Sequence, residues 1–97
     1  MTPPPFTVRT AARYNRLAKA LQRAHPKFSM HHRSALEILA ADPYNTTRRH
    51  RIKKLEGVPP GEGRWRLSLG RWRFRYDISE RLVELQYCGL RREETYR

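Results

Sequence analysis

The stretch Arg64-Trp65-Arg66-Leu67-Ser68-Leu69-Gly70-Arg71-Trp72-Arg73-Phe74-Arg75-Tyr76-Asp77-Ile78 decides how the chain folds. On both sides of Gly70-Arg71 large apolar residues alternate with polar ones, the period of half-buried strands. Gly70-Arg71 itself fits a two-residue hairpin loop. Such a loop fixes the register: Leu69 pairs with Trp72, Leu67 with Phe74 and Trp65 with Tyr76, so the large apolar groups meet on one side, under the helices. On the other side Ser68 faces Arg73, Arg66 faces Arg75 and Arg64 faces Asp77. Like charges directly opposite each other on a sheet are destabilising. Arg66 against Arg75, with Arg73 diagonal to it, therefore reads as a site for an anion, either the phosphates of RNA or DNA or an acidic segment of another protein. The alternative is that the long side chains splay into water at small cost.

Working outward, Leu82-Val83-Glu84-Leu85-Gln86-Tyr87 alternates in the same way, with Val83, Leu85 and Tyr87 expected on one face. Upstream, Tyr44 to Gly63 is polar, basic and rich in turn residues, a loop with a short strand at Ile52 to Leu55. Before it, Tyr14, Leu17, Ala18, Leu21 and Ala24 recur at helical spacing between Ala11 and His25, ended by Pro26. The other side of that helix carries Arg13, Arg16, Lys19 and Arg23, a basic stripe read as a solvated face. Ser29 is placed to cap a second helix running to about Ala41, with Asp42-Pro43 as its stop. Two helices so closely joined are expected to form an antiparallel hairpin. The prolines at 3 to 5 hold the start extended, and Phe6-Thr7-Val8 suits a short edge strand.

The 97 residues give room for a single domain, 1–97. Apolar residues make up 38%, with two Trp, five Tyr and three Phe, which excludes a wholly disordered chain despite 31% charged residues. Lys and Arg outnumber Asp and Glu by 21 to 9, for a formal charge of +12. Such an excess attracts polyanions, and the preponderance of Arg, whose planar fork binds phosphate in two places, favours nucleic acid. Cys88 is the one cysteine, so no intrachain disulfide forms and a reducing cytoplasm is expected. No apolar run approaches the roughly 20 residues of a membrane span, so no membrane partner is expected.

Tyr96 stands in Arg91-Arg92-Glu93-Glu94-Thr95-Tyr96, ringed by charge. A tyrosine can simply pack its ring on the domain edge. Beside guanidinium groups, though, its phenolate is stabilised and its pKa falls from about 10. Such a group can accept the proton of a ribose 2′-OH while arginines stabilise the charged phosphorane and the leaving 5′-oxygen.

The order strand, helical pair, K-K-L-x-G loop, W-R-x-x-x-G-x-x-R-x-x-Y and closing R-x-x-x-Y resembles the RelE/ParE superfamily of toxins from bacterial toxin–antitoxin systems. Lys53-Lys54-Leu55-Glu56-Gly57 matches the family's segment before the first long strand and Trp65-Arg66-Leu67 the opening of that strand. Trp72-Arg73-Phe74-Arg75-Tyr76 matches its Y/W-R-hydrophobic-x-Y strand, and Arg91 to Tyr96 its terminal R-x-E-x-Y. The resemblance spans nearly the whole chain. It implies an α+β fold, with two N-terminal helices packed as a hairpin on one face of a small, twisted, mostly antiparallel sheet and a basic concave face opposite. It also implies a cognate antitoxin protein as partner and one of two activities. RelE-like members enter the ribosome and cut mRNA, whereas ParE-like members inhibit DNA gyrase and are not nucleases. Under the first, Tyr96, Arg92, Arg73 and Arg66 take the catalytic places, with either Arg91 or Arg92 as the terminal arginine. RNA would be held by Arg64, Arg75, Arg91, Lys53, Lys54, Arg51, Arg49 and Arg48. The chain departs from the nuclease pattern at Ser68, where that pattern has lysine, and in its shorter loop at Gly70-Arg71. Arg64, Arg75 or Lys54 could supply the missing charge.

Other chemistry is poorly supported. His25, His31, His32 and His50 have no paired second motif for metal, and they read as scattered surface residues. No glycine-rich phosphate loop or nucleophilic serine or cysteine arrangement is present. The expectation is a site without metal or cofactor, with Cys88 packed or partly exposed and not marked as reactive.

Overall fold

The computed structural model of the chain describes residues 4–91. Its centre is the expected hairpin of β3 (Trp65–Leu69) and β4 (Trp72–Ser79), paired Leu69 to Trp72, Leu67 to Phe74 and Trp65 to Tyr76. Gly70 takes φ 58° while Arg71 stays out of the left-handed region, the pattern of a type II′ loop. Leu67, Phe74 and Tyr76 are completely buried. Burying each such side chain is worth about 1.5–3 kcal/mol, whereas a cross-strand pair contributes about 0.2–1 kcal/mol. The apolar row therefore decides the register, and the repulsion of Arg66 by Arg75 does not undo it.

Around this hairpin β2 (Arg51–Lys54) pairs antiparallel with β3, and β5 (Leu82–Leu90) antiparallel with β4. The edge beyond β5 is β1 (Thr7–Thr10), running parallel to it, so the sheet reads β1-β5-β4-β3-β2. Between β1 and β2 lie α1 (Ala12–Ala24) and α2 (Phe28–Ala41), whose apolar sides cover one face of the sheet. Tyr14 of α1 and Phe28, Ala35 and Leu39 of α2 are buried with Leu67, Trp72, Phe74, Tyr76, Val83, Leu85 and Cys88. Phe28 meets Trp72 edge-on at 5.1 Å and Phe74 at 6.2 Å. No helix among the described residues is long and apolar enough to cross a membrane.

Three local expectations need correction. Ser29 is not the cap of α2: the helix begins one residue earlier, at Phe28, with Lys27 in the capping position and no side-chain cap. Sinking Phe28 between Trp72 and Phe74 outweighs the missing cap. The four histidines are not surface residues: all are half-buried, His25 and His31 lie against Trp72, and His32 shares a 2.7 Å hydrogen bond with the Tyr14 hydroxyl, burial lowering its pKa. Tyr87 does not share a face with Val83 and Leu85. Arg75 pairs with Tyr87 but Tyr76 with Leu85, so Gln86 is an extra residue, a β-bulge. Beyond it Cys88 and Leu90 return to the core side, opposite Phe74 and Trp72.

Asp42 ends α2 and organises the loop after it. Its buried carboxylate accepts from the backbone N–H and hydroxyl of Thr46 at 2.7 and 2.9 Å, and from those of Thr47 at 3.1 and 2.6 Å. Burial pushes the carboxyl pKa up, and the hydrogen bonds from Thr47 and Thr46 outweigh it, holding it at about 2 against the ordinary 3.8. A folded pKa below the unfolded one contributes stability that is complete above the unfolded value and is lost as pH falls through the folded one. Asp42→Asn should therefore lower the thermal midpoint at neutral pH and flatten its decline between about pH 4 and pH 2. Melting curves across that range check it, and equal acid slopes in parent and variant would contradict the assignment.

Candidate functional site

Because directly opposite residues on paired strands share a face, burying one row of β3 and β4 gathers the other. Opposite the helices stand Arg66 and Ser68 of β3 and Arg73, Arg75 and Asp77 of β4. The register of β2 adds Arg51 beside Ser68 and Lys53 beside Arg66. From β5, Glu84 stands beside Asp77, Tyr87 beside Arg75 and Gly89 beside Arg73. Arg64, just before β3, is exposed at the margin, and its backbone N–H donates to Asp77 Oδ1 at 3.1 Å.

Two arginines of this face are aimed by backbone carbonyls. Arg73, only 8% exposed, donates from Nη1 to the carbonyls of Gly70 at 2.7 Å and Trp72 at 3.0 Å. Arg75 donates from Nε to the Gly63 carbonyl at 3.1 Å. A carbonyl fixes where a guanidinium points without cancelling its charge. The two carboxylates of the face are directed elsewhere. Asp77 accepts from the Gly63 and Arg64 N–H groups at 3.0 and 3.1 Å. Glu84 pairs with Arg9 at 3.1 Å, the one ion pair among the described residues, and accepts from Gln86 at 2.9 Å. The face thus concentrates positive charge next to carboxylates already occupied by loop and edge.

Not every expected residue falls here. Lys54 pairs with Trp65 on the helix side, its ammonium 5.7 Å from the Trp65 ring centroid. Arg48 and Arg49 are exposed in the loop before β2, off the sheet. Arg91 follows β5 and its N–H donates to the Arg71 carbonyl at 2.8 Å, which seats it beside the β3–β4 turn. Arg92 and Tyr96 lie outside the described residues.

The sequence reading missed Tyr87 and its neighbour Arg13, whose guanidinium carbon lies 5.7 Å from the Tyr87 ring centroid. The signal was there: Val83, Leu85, Cys88 and Leu90 are spaced two, three and two apart, and the step of three announces the bulge. Cys88 itself is buried against Tyr14, and burial pushes its thiol up to about 12, far from nucleophilic use. Among the described residues no group of three or more His, Cys, Asp or Glu side chains is placed to hold a metal ion.

No protein-family model and no curated protein matches the sequence. Solved structures do match. A crystal structure of the Escherichia coli DinJ–YafQ complex superposes with a TM-score of 0.70 at 11% identity, covering 92% of this chain and 97% of that chain. The archaeal RelE–RelB complex from Pyrococcus horikoshii OT3 gives 0.60 at 21% identity over 90% and 96%. Another crystal structure, of the Escherichia coli DinJ–YafQ toxin–antitoxin complex, gives 0.62 at 13% over 93% and 97%. At these identities the likeness is one of fold: the chain has the RelE-like α+β fold.

Gly63 is the hinge on which the arginine face rests. It takes φ 86°, and an added Cβ would stand 2.6 Å from the Cβ of Arg75. Gly63→Ala combines left-handed strain with a clash against a packed strand, and should cost about 2–4 kcal/mol. Urea unfolding checks it, and a change under about 0.5 kcal/mol, the scatter of an ordinary surface substitution, would contradict it.

Proposed function

We propose that the chain is the toxin of a toxin–antitoxin pair and a metal-independent endoribonuclease that cuts mRNA on the ribosome. The observation that carries this reading is the convergence of Arg66, Arg73 and Arg75 on one sheet face, with Arg73 and Arg75 aimed by backbone carbonyls. The fold it shares with YafQ and RelE, each crystallised in complex with a partner, supports the toxin assignment and a cognate antitoxin. An acidic segment of that antitoxin would compete with RNA for the same guanidinium groups.

In this mechanism a ribose 2′-OH attacks the adjacent phosphorus in line. The P–O5′ bond breaks, leaving a 2′,3′-cyclic phosphate and a 5′-hydroxyl. Tyr96 takes the 2′-OH proton, and Arg73 and Arg66 stabilise the phosphorane. Arg92 or Arg91 assists the departing oxygen. Preorganised donors suit this work, because charge develops on phosphate oxygens in the transition state and guanidinium groups already pointed there need not reorganise. Arg75, Arg64, Lys53 and Arg51 extend the positive track along the RNA backbone. Lys54, Arg48 and Arg49, off that face, would grip ribosomal RNA.

The test is to add the purified protein to translating ribosomes on a defined mRNA and map new 5′ ends. Ribosome-dependent cuts are expected, and Tyr96→Phe should reduce them by about 100-fold or more, the range of a lost general base. A Tyr96→Phe variant that cuts like the parent removes Tyr96 from the mechanism. Intact mRNA together with inhibited DNA gyrase replaces the nuclease by a ParE-like inhibitor.

A further inference from the structure

Strict alternation would send Tyr87 into the core, and the bulge at Gln86 sends it to the arginine face instead. We propose that Tyr87 is a second tyrosine of the RNA site, its hydroxyl donating a hydrogen bond to a non-bridging oxygen of the scissile phosphate beside Arg73. The proposal rests on reading this face as an RNA site.

The geometry is set by two cross-strand pairs. Tyr87 is directly opposite Arg75, and Gly89, two residues on along the same face, is directly opposite Arg73. Side chains so paired start about 4.5–5.5 Å apart. The Tyr87 ring does not stand out from the sheet. A Cβ added at Gly89 would collide with the Tyr87 hydroxyl and lie 2.9 Å from Tyr87 Cζ, so the ring lies along β5 over the space a side chain would fill. Its hydroxyl therefore ends level with Arg73. The guanidinium carbon of Arg13 lies 5.7 Å from the ring centroid. Glycine at 89 is what lets the phenol reach this point.

Chemistry assigns the hydroxyl its role. Guanidinium groups donate hydrogen bonds and never accept them. The phenol, like the Ser68 hydroxyl opposite Arg73, can accept from an arginine and also donate to an anion. Directed at a phosphate oxygen, its O–H strengthens as negative charge grows there, which makes it a contact of the transition state more than of the ground state.

Two variants test the proposal. Tyr87→Phe keeps the ring, its cover over Gly89 and its contact with Arg13, and removes only the donor. Gly89→Ala keeps the hydroxyl and pushes it aside; the φ of Gly89 lies outside the left-handed region, so alanine suits the backbone. Cleavage of mRNA on translating ribosomes should fall about 100-fold in both, the scale of losing one donor to a developing oxyanion. Melting curves show the temperature at which each variant is folded, and cleavage is compared there. Binding of an RNA trinucleotide made uncleavable by a 2′-deoxy substitution at the scissile position is measured alongside. Tyr87→Phe that cuts and binds like the parent overturns the proposal and leaves the ring as a cover for Gly89. If the parent itself cuts no mRNA, the nuclease reading fails and binding alone decides. Weaker trinucleotide binding by Tyr87→Phe then keeps Tyr87 in an anion site, and equal binding removes it.

Discussion

A two-residue turn at Gly70-Arg71 ties Leu67 to Phe74 and Trp65 to Tyr76, and nearly everything else follows from that tie. In an antiparallel pair the face opposite the core is not chosen independently: whatever alternates with the buried residues must gather there. Here arginines alternate with aromatics. The sheet that buries Trp72, Phe74 and Tyr76 beneath the helices consequently assembles Arg73, Arg75 and Arg66 on its back. Core and charged face are two sides of one register, and the hydrophobic side, with its larger energy per residue, holds the repulsive side in place.

Three acidic residues among the described ones hold loops and the sheet edge. Asp42 closes the turn after α2 through Thr46 and Thr47, Asp77 holds Gly63 and Arg64, and Glu84 holds Arg9 at the sheet edge. Each carboxylate fixes chain geometry. The guanidinium groups of Arg73 and Arg75 are oriented by backbone carbonyls. Arginine stays protonated throughout the physiological range, so the field of this face responds to ionic strength far more than to pH.

Much of this was legible in the sequence, because period and turn chemistry are local signals. Alternation from Trp65 to Ile78, helical spacing from Tyr14 to Ala24 and the stop at Asp42-Pro43 gave the elements, and the hairpin loop gave the register of β3 on β4. What escaped was non-local. Ser29 has the right chemistry for a cap, yet the pull of Trp72 and Phe74 on Phe28 starts the helix earlier. The parallel pairing of β1 with β5 joins opposite ends of the chain, with no motif to announce it. Tyr87 was misplaced because alternation was carried through Gln86, although the core itself demanded a change of step there. Lys54 looks in sequence like the twin of Lys53, but adjacent residues of a strand point to opposite sides.

The bulge also lets the last strand hold one residue more than its partner needs. Before Gln86 the strand is keyed to Val83 and Leu85; after it, to Cys88 and Leu90. Deleting that one residue would make Tyr76–Leu85 and Arg75–Tyr87 consecutive pairs of a regular ladder, so Tyr87 would still face the arginines and Cys88 and Leu90 the core. Gln86 is thus an odd residue that the strand absorbs at one point, as a local kink, instead of passing it on as a slip of every later side chain.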